Sequence, residues 1–340
     1  MVRYTTFRLT LVGAVAVLLC TLGCTAAGQS PGAGDPTSSA PAFDAATRGD
    51  EEFNRLFTHR FAEVDGVRLH YVAGGTGDPL VLLHGWPQTW YAWRGVMPAL
   101  AERYTVYALD LPGLGDSTGS PTGYDKATLA RYVHGLLADE LGLRDVRLVG
   151  HDLGAGVGAR YASQYPDEVV RYAHLDYPLP GPALSAATYR TFSWHMAFHD
   201  QEGIPEMLVD DDVREYLASF YPLVAHGGVS FGGAGAASPF SEEQVDEFAR
   251  TYRRPEVLSG GFDLYRTLDQ DERDNAAARP VAVPTMVMAA EGTLASARPT
   301  VEPLFSAVER AVEVPGSGHW LPEENPEFVT RELLDFLAGP

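Results

Sequence analysis

Short apolar runs punctuate this chain from about residue 57 onward, with the lengths of buried strands rather than helices. Residues 79–83, 104–109, 146–149 and 170–175 are rich in Val, Leu, Ala and Tyr, and helix-like periodicity separates most of them. Strands alternating with helices predict a mostly parallel sheet covered on both faces. Ahead of them, residues 61–72 form two extended halves around Asp65-Gly66, the signature of a tight hairpin. Residues 284–288 and 311–314 resume the rhythm, and a closing helix is predicted over 326–336. Between about 178 and 279 the rhythm stops. Aromatic-rich helical stretches and a Gly-rich loop at 227–235 replace it. An insertion between two strands of a parallel sheet lies over their carboxyl ends, where such sheets bind ligands. The pattern therefore predicts an α/β fold, with core segments 55–177 and 280–340 and a helical lid over 178–279.

The first residues follow a different logic. Arg3 and Arg8 precede an apolar run at 9–22 that is short for a membrane span, as in an export signal over residues 1–27. Cleavage after Ala27 is one expectation. Leu22-Gly23-Cys24 also resembles the end of a lipoprotein signal, with Thr21 where Leu is usual, so a membrane tether through lipidated Cys24 is the other. Residues 28–54 are expected to be a flexible linker, being rich in Ala, Gly, Ser and Pro up to about residue 50. The expected location is outside the cell membrane, secreted or lipid-anchored.

Composition narrows the partners. Both cysteines, Cys20 and Cys24, fall in the export segment, so the folded domain holds no thiol or disulfide. A formal net charge of −20 disfavours nucleic acid and anionic surfaces as partners. Oligomeric state is left open, with a homodimer as one expectation.

The chemistry begins at Gly150-His151-Asp152-Leu153-Gly154, a G-x-D-x-G between a predicted strand and a predicted helix. It has the glycine spacing of the nucleophile elbow, with Asp in the place of Ser. The plainer reading is an N-capping aspartate. His84-Gly85-Trp86-Pro87 ends an earlier strand, and the backbone N–H groups of Trp86 and Leu153 are the expected oxyanion hole. His319, in Gly316-Ser317-Gly318-His319, follows the last strand, where the order nucleophile, acid, base requires the general base. Two residues compete for the acid. Asp176 terminates the strand after the elbow helix and is preferred; Glu291, beside Thr293 at the more usual acid position, is the alternative. His195 and His199 stand at i, i+4, but without a third ligand they make a poor zinc site. No metal or cofactor is expected.

Together these motifs, from about residue 57 to 338, resemble the epoxide hydrolase and dehalogenase branch of the α/β-hydrolases, and within it the secreted bacterial Cif-like epoxide hydrolases. The likeness rests on residues 63–72, on Leu109-Asp-Leu-Pro-Gly-Leu-Gly115, and on Gly318-His-Trp-Leu-Pro-Glu-Glu324. That group carries its acid as a Glu at the position of Asp176, 24 residues past Asp152. It holds the epoxide oxygen with one His and one Tyr from the lid, which the resemblance assigns to His195 and Tyr265. Haloacetate dehalogenases carry arginines where Leu153 and Gly156 stand here, and haloalkane dehalogenases a Trp in the place of Leu153. The resemblance thus implies hydrolysis of a small apolar epoxide through an Asp152 ester, with no cofactor. Haloalkane dehalogenation, or a non-catalytic binding protein on the same scaffold, are the alternatives.

Overall fold

The computed structural model describes residues 51–339. The export segment, Cys20, Cys24 and the greater part of the expected linker lie outside the described residues. Eight strands form one sheet: β1 (Phe57–Val64), β2 (Val67–Gly75), β3 (Asp78–Leu83), β4 (Tyr104–Leu109), β5 (Val146–His151), β6 (Val169–Leu175), β7 (Thr285–Ala290) and β8 (Val308–Val314). Their order across the sheet is β1-β2-β4-β3-β5-β6-β7-β8. The hairpin β1–β2 and the β2–β4 pair are antiparallel, and every later pair is parallel.

The apolar runs become strands because they can bury both faces. Within β3, Val81 and Leu83 enter one apolar layer while Leu80 and Leu82 enter the opposite one. In β7, Val287 parts from Met286 and Met288 in the same way. A two-residue period with both faces apolar is what helices on each side of a sheet demand.

One boundary differs from expectation. Residues 51–54 belong to a helix, Glu51–Leu56, rather than to the linker. Phe53 is the reason: it is 4% exposed and stacks on Phe57 with ring centroids 4.5 Å apart. A single helical turn with one buried residue leaves no periodic trace in a sequence.

The insertion is helical, running through Trp194–His199, Val213–Val224, Glu242–Tyr252, Pro255–Arg266 and Leu268–Ala277. It is bound to the core beside the helix that carries Tyr265. The Lys126 ammonium, at the start of core helix Lys126–His134, is buried, pairs with Asp271 at 2.8 Å and donates to the Leu264 carbonyl. That contact holds the end of the helix carrying Tyr265. A buried ion pair adds little net stability, but its geometry admits few alternatives.

Candidate active site

Asp152 sits between β5 and the helix Leu153–Gln164, in a backbone conformation with φ +51°. A non-glycine residue there costs about 1–3 kcal/mol, a strain tolerated only where the surroundings enforce it. It occupies the N-cap position, yet its side chain makes no capping bond, which removes the plainer reading of this aspartate. The neighbouring glycines are explained by close approach. A Cβ on Gly154 would lie 2.2 Å from the His84 carbonyl oxygen, and one on Gly85 would lie 2.4 Å from the Asp152 Cβ.

The turn after β3 faces this elbow. The Trp86 N–H donates to Asp152 Oδ2 at 2.9 Å. Leu153, first residue of the elbow helix, presents an N–H with no acceptor within its own helix. His84 supports the turn: its Nε2 accepts from the Leu111 N–H at 3.1 Å, so Nδ1 carries the proton donated to the Gly85 carbonyl at 2.8 Å.

His319 meets the other carboxylate oxygen of Asp152. Its Nδ1 donates to Asp176 Oδ2 at 2.7 Å, and its Nε2 stands 3.8 Å from Asp152 Oδ1, an ion-pair separation. Asp176 follows β6 at φ +45°, and its Oδ1 is fixed by the Ala290 N–H at 2.9 Å. The short side chain therefore reaches the imidazole. Glu291 does not: it is half exposed, accepts from the Gly316 N–H at 2.8 Å and faces His226 at 3.4 Å. Thr293 directs its hydroxyl toward Asp176 Oδ1 at 3.5 Å.

Electrostatics set the protonation states. Burial opposes a charge on Asp152, but the attraction of the His319 imidazolium outweighs it and holds the carboxyl below its usual range. Burial likewise opposes the proton on His319, and the pull of Asp152 and then Asp176 raises it to about 10. The resting pair is carboxylate and imidazolium. His151 packs beside His319 with ring centroids 4.8 Å apart, and burial keeps it neutral, down to about 4.

The lid supplies the far wall. His195 is 4% exposed and Tyr265 3% exposed, and their rings meet edge to face with centroids 5.7 Å apart. Burial lowers His195 to about 4, against the pull of Asp152, and pushes the Tyr265 phenol well above its ordinary value. Both are neutral donors near pH 7. Ser193, two residues before His195, has its Oγ 2.8 Å from His195 Nδ1; a hydroxyl donating there leaves the Nε2 proton free for the cavity.

All five side chains, Asp152, Asp176, His195, Tyr265 and His319, line one cavity of about 390 Å³ together with Trp86. A profile described as alpha/beta hydrolase fold matches residues 78–326. The chain belongs to the α/β-hydrolase family. It is 36% identical over 290 residues to the soluble epoxide hydrolase of Corynebacterium sp. (strain C12), spanning 83% of this chain and 97% of that protein. It is 31% identical over 298 residues to the fluoroacetate dehalogenase of Burkholderia sp, covering 83% and 94%. Among solved structures, the Cif epoxide hydrolase of Acinetobacter nosocomialis is similar at a TM-score of 0.74 and 26% identity, covering 83% of this chain and 90% of that one.

In this α/β-hydrolase the lid also holds the loop of His319. The His319 N–H donates to the Val224 carbonyl at 2.9 Å, and Trp320 Nε1 to the Tyr221 carbonyl at 3.0 Å, so helix Val213–Val224 grips the loop that carries the imidazole. Phe192, Met196, Phe220 and Val224 give the cavity an apolar wall, and its lining includes no Lys or Arg. His199 does not share a ligand position with His195: its Nε2 lies 2.7 Å from the Tyr216 hydroxyl, and the two histidine rings are 5.5 Å apart. The supporting roles of Ser193, His151 and His84 had no signature in the sequence beyond adjacency to a motif.

Proposed function

We propose that this hydrolase opens a small, neutral, apolar epoxide to a vicinal diol through an ester on Asp152, an activity of the class acting on ether bonds. One observation carries the reading. An ionised carboxylate, paired with the His319 imidazolium, shares a cavity with two neutral donors, His195 and Tyr265, and no Lys or Arg lines it to grip an anionic substrate. Similarity to two proteins named epoxide hydrolases supports it.

On this reading the two carboxylate oxygens take different roles. Oδ2 is engaged by the Trp86 N–H, which leaves Oδ1 to attack the less hindered epoxide carbon. The C–O bond of the ring breaks as the Oδ1–C bond forms, and His195 and Tyr265 donate hydrogen bonds to the departing alkoxide. Alkylation erases the Asp152 charge that helped hold the proton on His319. The imidazolium therefore releases that proton, which balances the one taken up by the alkoxide. Neutral His319, oriented by Asp176, then deprotonates water, and the hydroxide attacks the ester carbonyl carbon. The Trp86 and Leu153 N–H groups hold the oxyanion, at about 3–4 kcal/mol per donor. Collapse releases the diol and restores carboxylate and imidazolium.

Replacing Tyr265 with Phe removes one of the two donors. The expected result is a roughly 10²-fold slower alkylation step with ester hydrolysis little changed, read by stopped-flow burst kinetics. Release of halide from neutral haloalkanes with no diol from any epoxide, indifferent to Tyr265→Phe, would instead establish the dehalogenase reading.

Export belongs to the same proposal, on the strength of the basic residues and apolar run at 9–22. Fractionation of expressing cells is expected to place the mature domain outside the cytoplasmic membrane. A full-length chain retained in the cytoplasm would count against export while leaving the chemistry intact.

A further inference from the structure

A buried carboxyl near the catalytic histidine is not used by the mechanism above. Glu323 follows His319 by four residues, in the short helix Leu321–Glu324. The residue as a whole is only partly buried, but its Oε2 is sealed from water and has no partner. Its Oε1 accepts from Nε2 of Gln88, which is fully buried, and the Gln88 Oε1 is likewise sealed and unpartnered. The two orphan oxygens thus belong to the same two side chains that already share one hydrogen bond. Two acceptors cannot satisfy one another. A single proton on Glu323 Oε2, donated to Gln88 Oε1, would resolve both and close a ring in which amide donates to acid and acid donates to amide.

Gln88 is no bystander. Its N–H donates to the Gly85 carbonyl at 3.0 Å, closing the turn that presents the Trp86 N–H, and its own carbonyl accepts from the Tyr252 hydroxyl at 3.2 Å. Glu323 in turn is tied through its N–H to the Trp320 carbonyl at 3.0 Å, next to His319. We propose that Glu323 is a positioning residue which, as a neutral carboxylic acid, forms a two-bond clamp with the Gln88 amide and sets the distance between the oxyanion turn and the general base. The titratable groups facing it are His319, Glu324 and Tyr221. Burial dominates over the Gln88 bond and the His319 charge, raising the Glu323 carboxyl to about 8.

The test compares Glu323→Ala, Glu323→Gln and wild type across pH, following ester decay with a terminal epoxide. This readout rests on the epoxide reading. Glu323→Ala is expected to slow ester hydrolysis ~10–100-fold, the scale of a misplaced catalytic group, with a smaller effect on alkylation. Glu323→Gln keeps both bonds, because an amide can donate and accept in the same ring. It is expected to recover most of that loss. In wild type the hydrolysis rate is expected to fall above pH about 8, toward the alanine level, as the clamp loses its proton; in Glu323→Gln that fall is absent.

A second measurement needs no substrate. A carboxyl whose folded value is raised from 4.5 to about 8 contributes stability that is full below 4.5 and lost as pH rises to about 8. The melting temperature of Glu323→Gln should therefore gain on wild type across that window and run parallel above it. Parallel melting curves throughout, or a wild-type alkaline fall shared by Glu323→Gln, would overturn the clamp. Absence of turnover on every epoxide, with the melting signature present, would instead overturn the epoxide reading alone.

Discussion

Asp152→Ser is expected to abolish diol formation, by roughly 10⁴-fold or more. The serine hydroxyl fits the elbow sterically, but it is an un-ionised alcohol where the native carboxylate is already charged at rest. Losing Asp152 removes one of the two carboxylates that hold the proton on His319 and lowers the pKa of that imidazole. The hydroxyl is nevertheless one carbon atom shorter than the carboxylate it replaces and reaches less far toward the epoxide carbon. In the wild type, a single turnover in ¹⁸O-labelled water is expected to give unlabelled diol, since the first oxygen transferred is Oδ1 of Asp152. Label enters the carboxylate when water attacks the ester carbonyl, and reaches diol only in later turnovers. Label in the first diol would mean direct attack by water, and the nucleophilic role of Asp152 would be lost. Alkylation should also persist at acidic pH below the range of an ordinary carboxyl, because the imidazolium keeps Asp152 ionised there.

Much of this arrangement could be read before any coordinates, and the reasons are local. Strands β3 to β7 announce themselves because both their faces are buried, leaving short apolar runs. The elbow is legible because close backbone approach excludes a Cβ at Gly154, so spacing encodes shape. The order of nucleophile and base follows from strand order. What stayed open depended on contacts distant in sequence. The choice between Asp176 and Glu291 turns on which carboxylate meets an imidazole at residue 319, and the side-chain direction at φ +45° decides it. The acid–amide pair joins residues 88 and 323, and neither residue type signals such a partner from 235 positions away. Phe53 illustrates the same limit, since a helix held by one buried ring has no period to detect.

His319→Gln should separate the two half-reactions and leave the ester in place. Alkylation needs an ionised Asp152, the Trp86 N–H, and the His195 and Tyr265 donors; the substitution leaves these groups in place and, by removing the imidazolium, moves the ionisation of Asp152 to higher pH. Hydrolysis needs a base beside the ester carbonyl, and an amide cannot take a proton from water. Loss of the base is expected to slow hydrolysis by roughly 10⁴–10⁶-fold, so a stoichiometric adduct accumulates. Trypsin then isolates it cleanly: the peptide between Arg147 and Arg160 contains Asp152 as its single carboxylic side chain. The mass increment identifies the chemistry as well as the residue. Epoxide opening loses no atom, so the peptide gains the full mass of the substrate, whereas displacement from an alkyl halide adds the substrate less one hydrogen halide. Unmodified peptide after incubation with an epoxide that the wild type consumes would mean that no covalent ester lies on the path. The imidazolium proton then becomes the decisive quantity. Without it the alkoxide must be neutralised from solvent, so once Asp152 is ionised, adduct formation in His319→Gln should slow as pH rises further, while wild-type alkylation holds until His319 itself deprotonates at about 10.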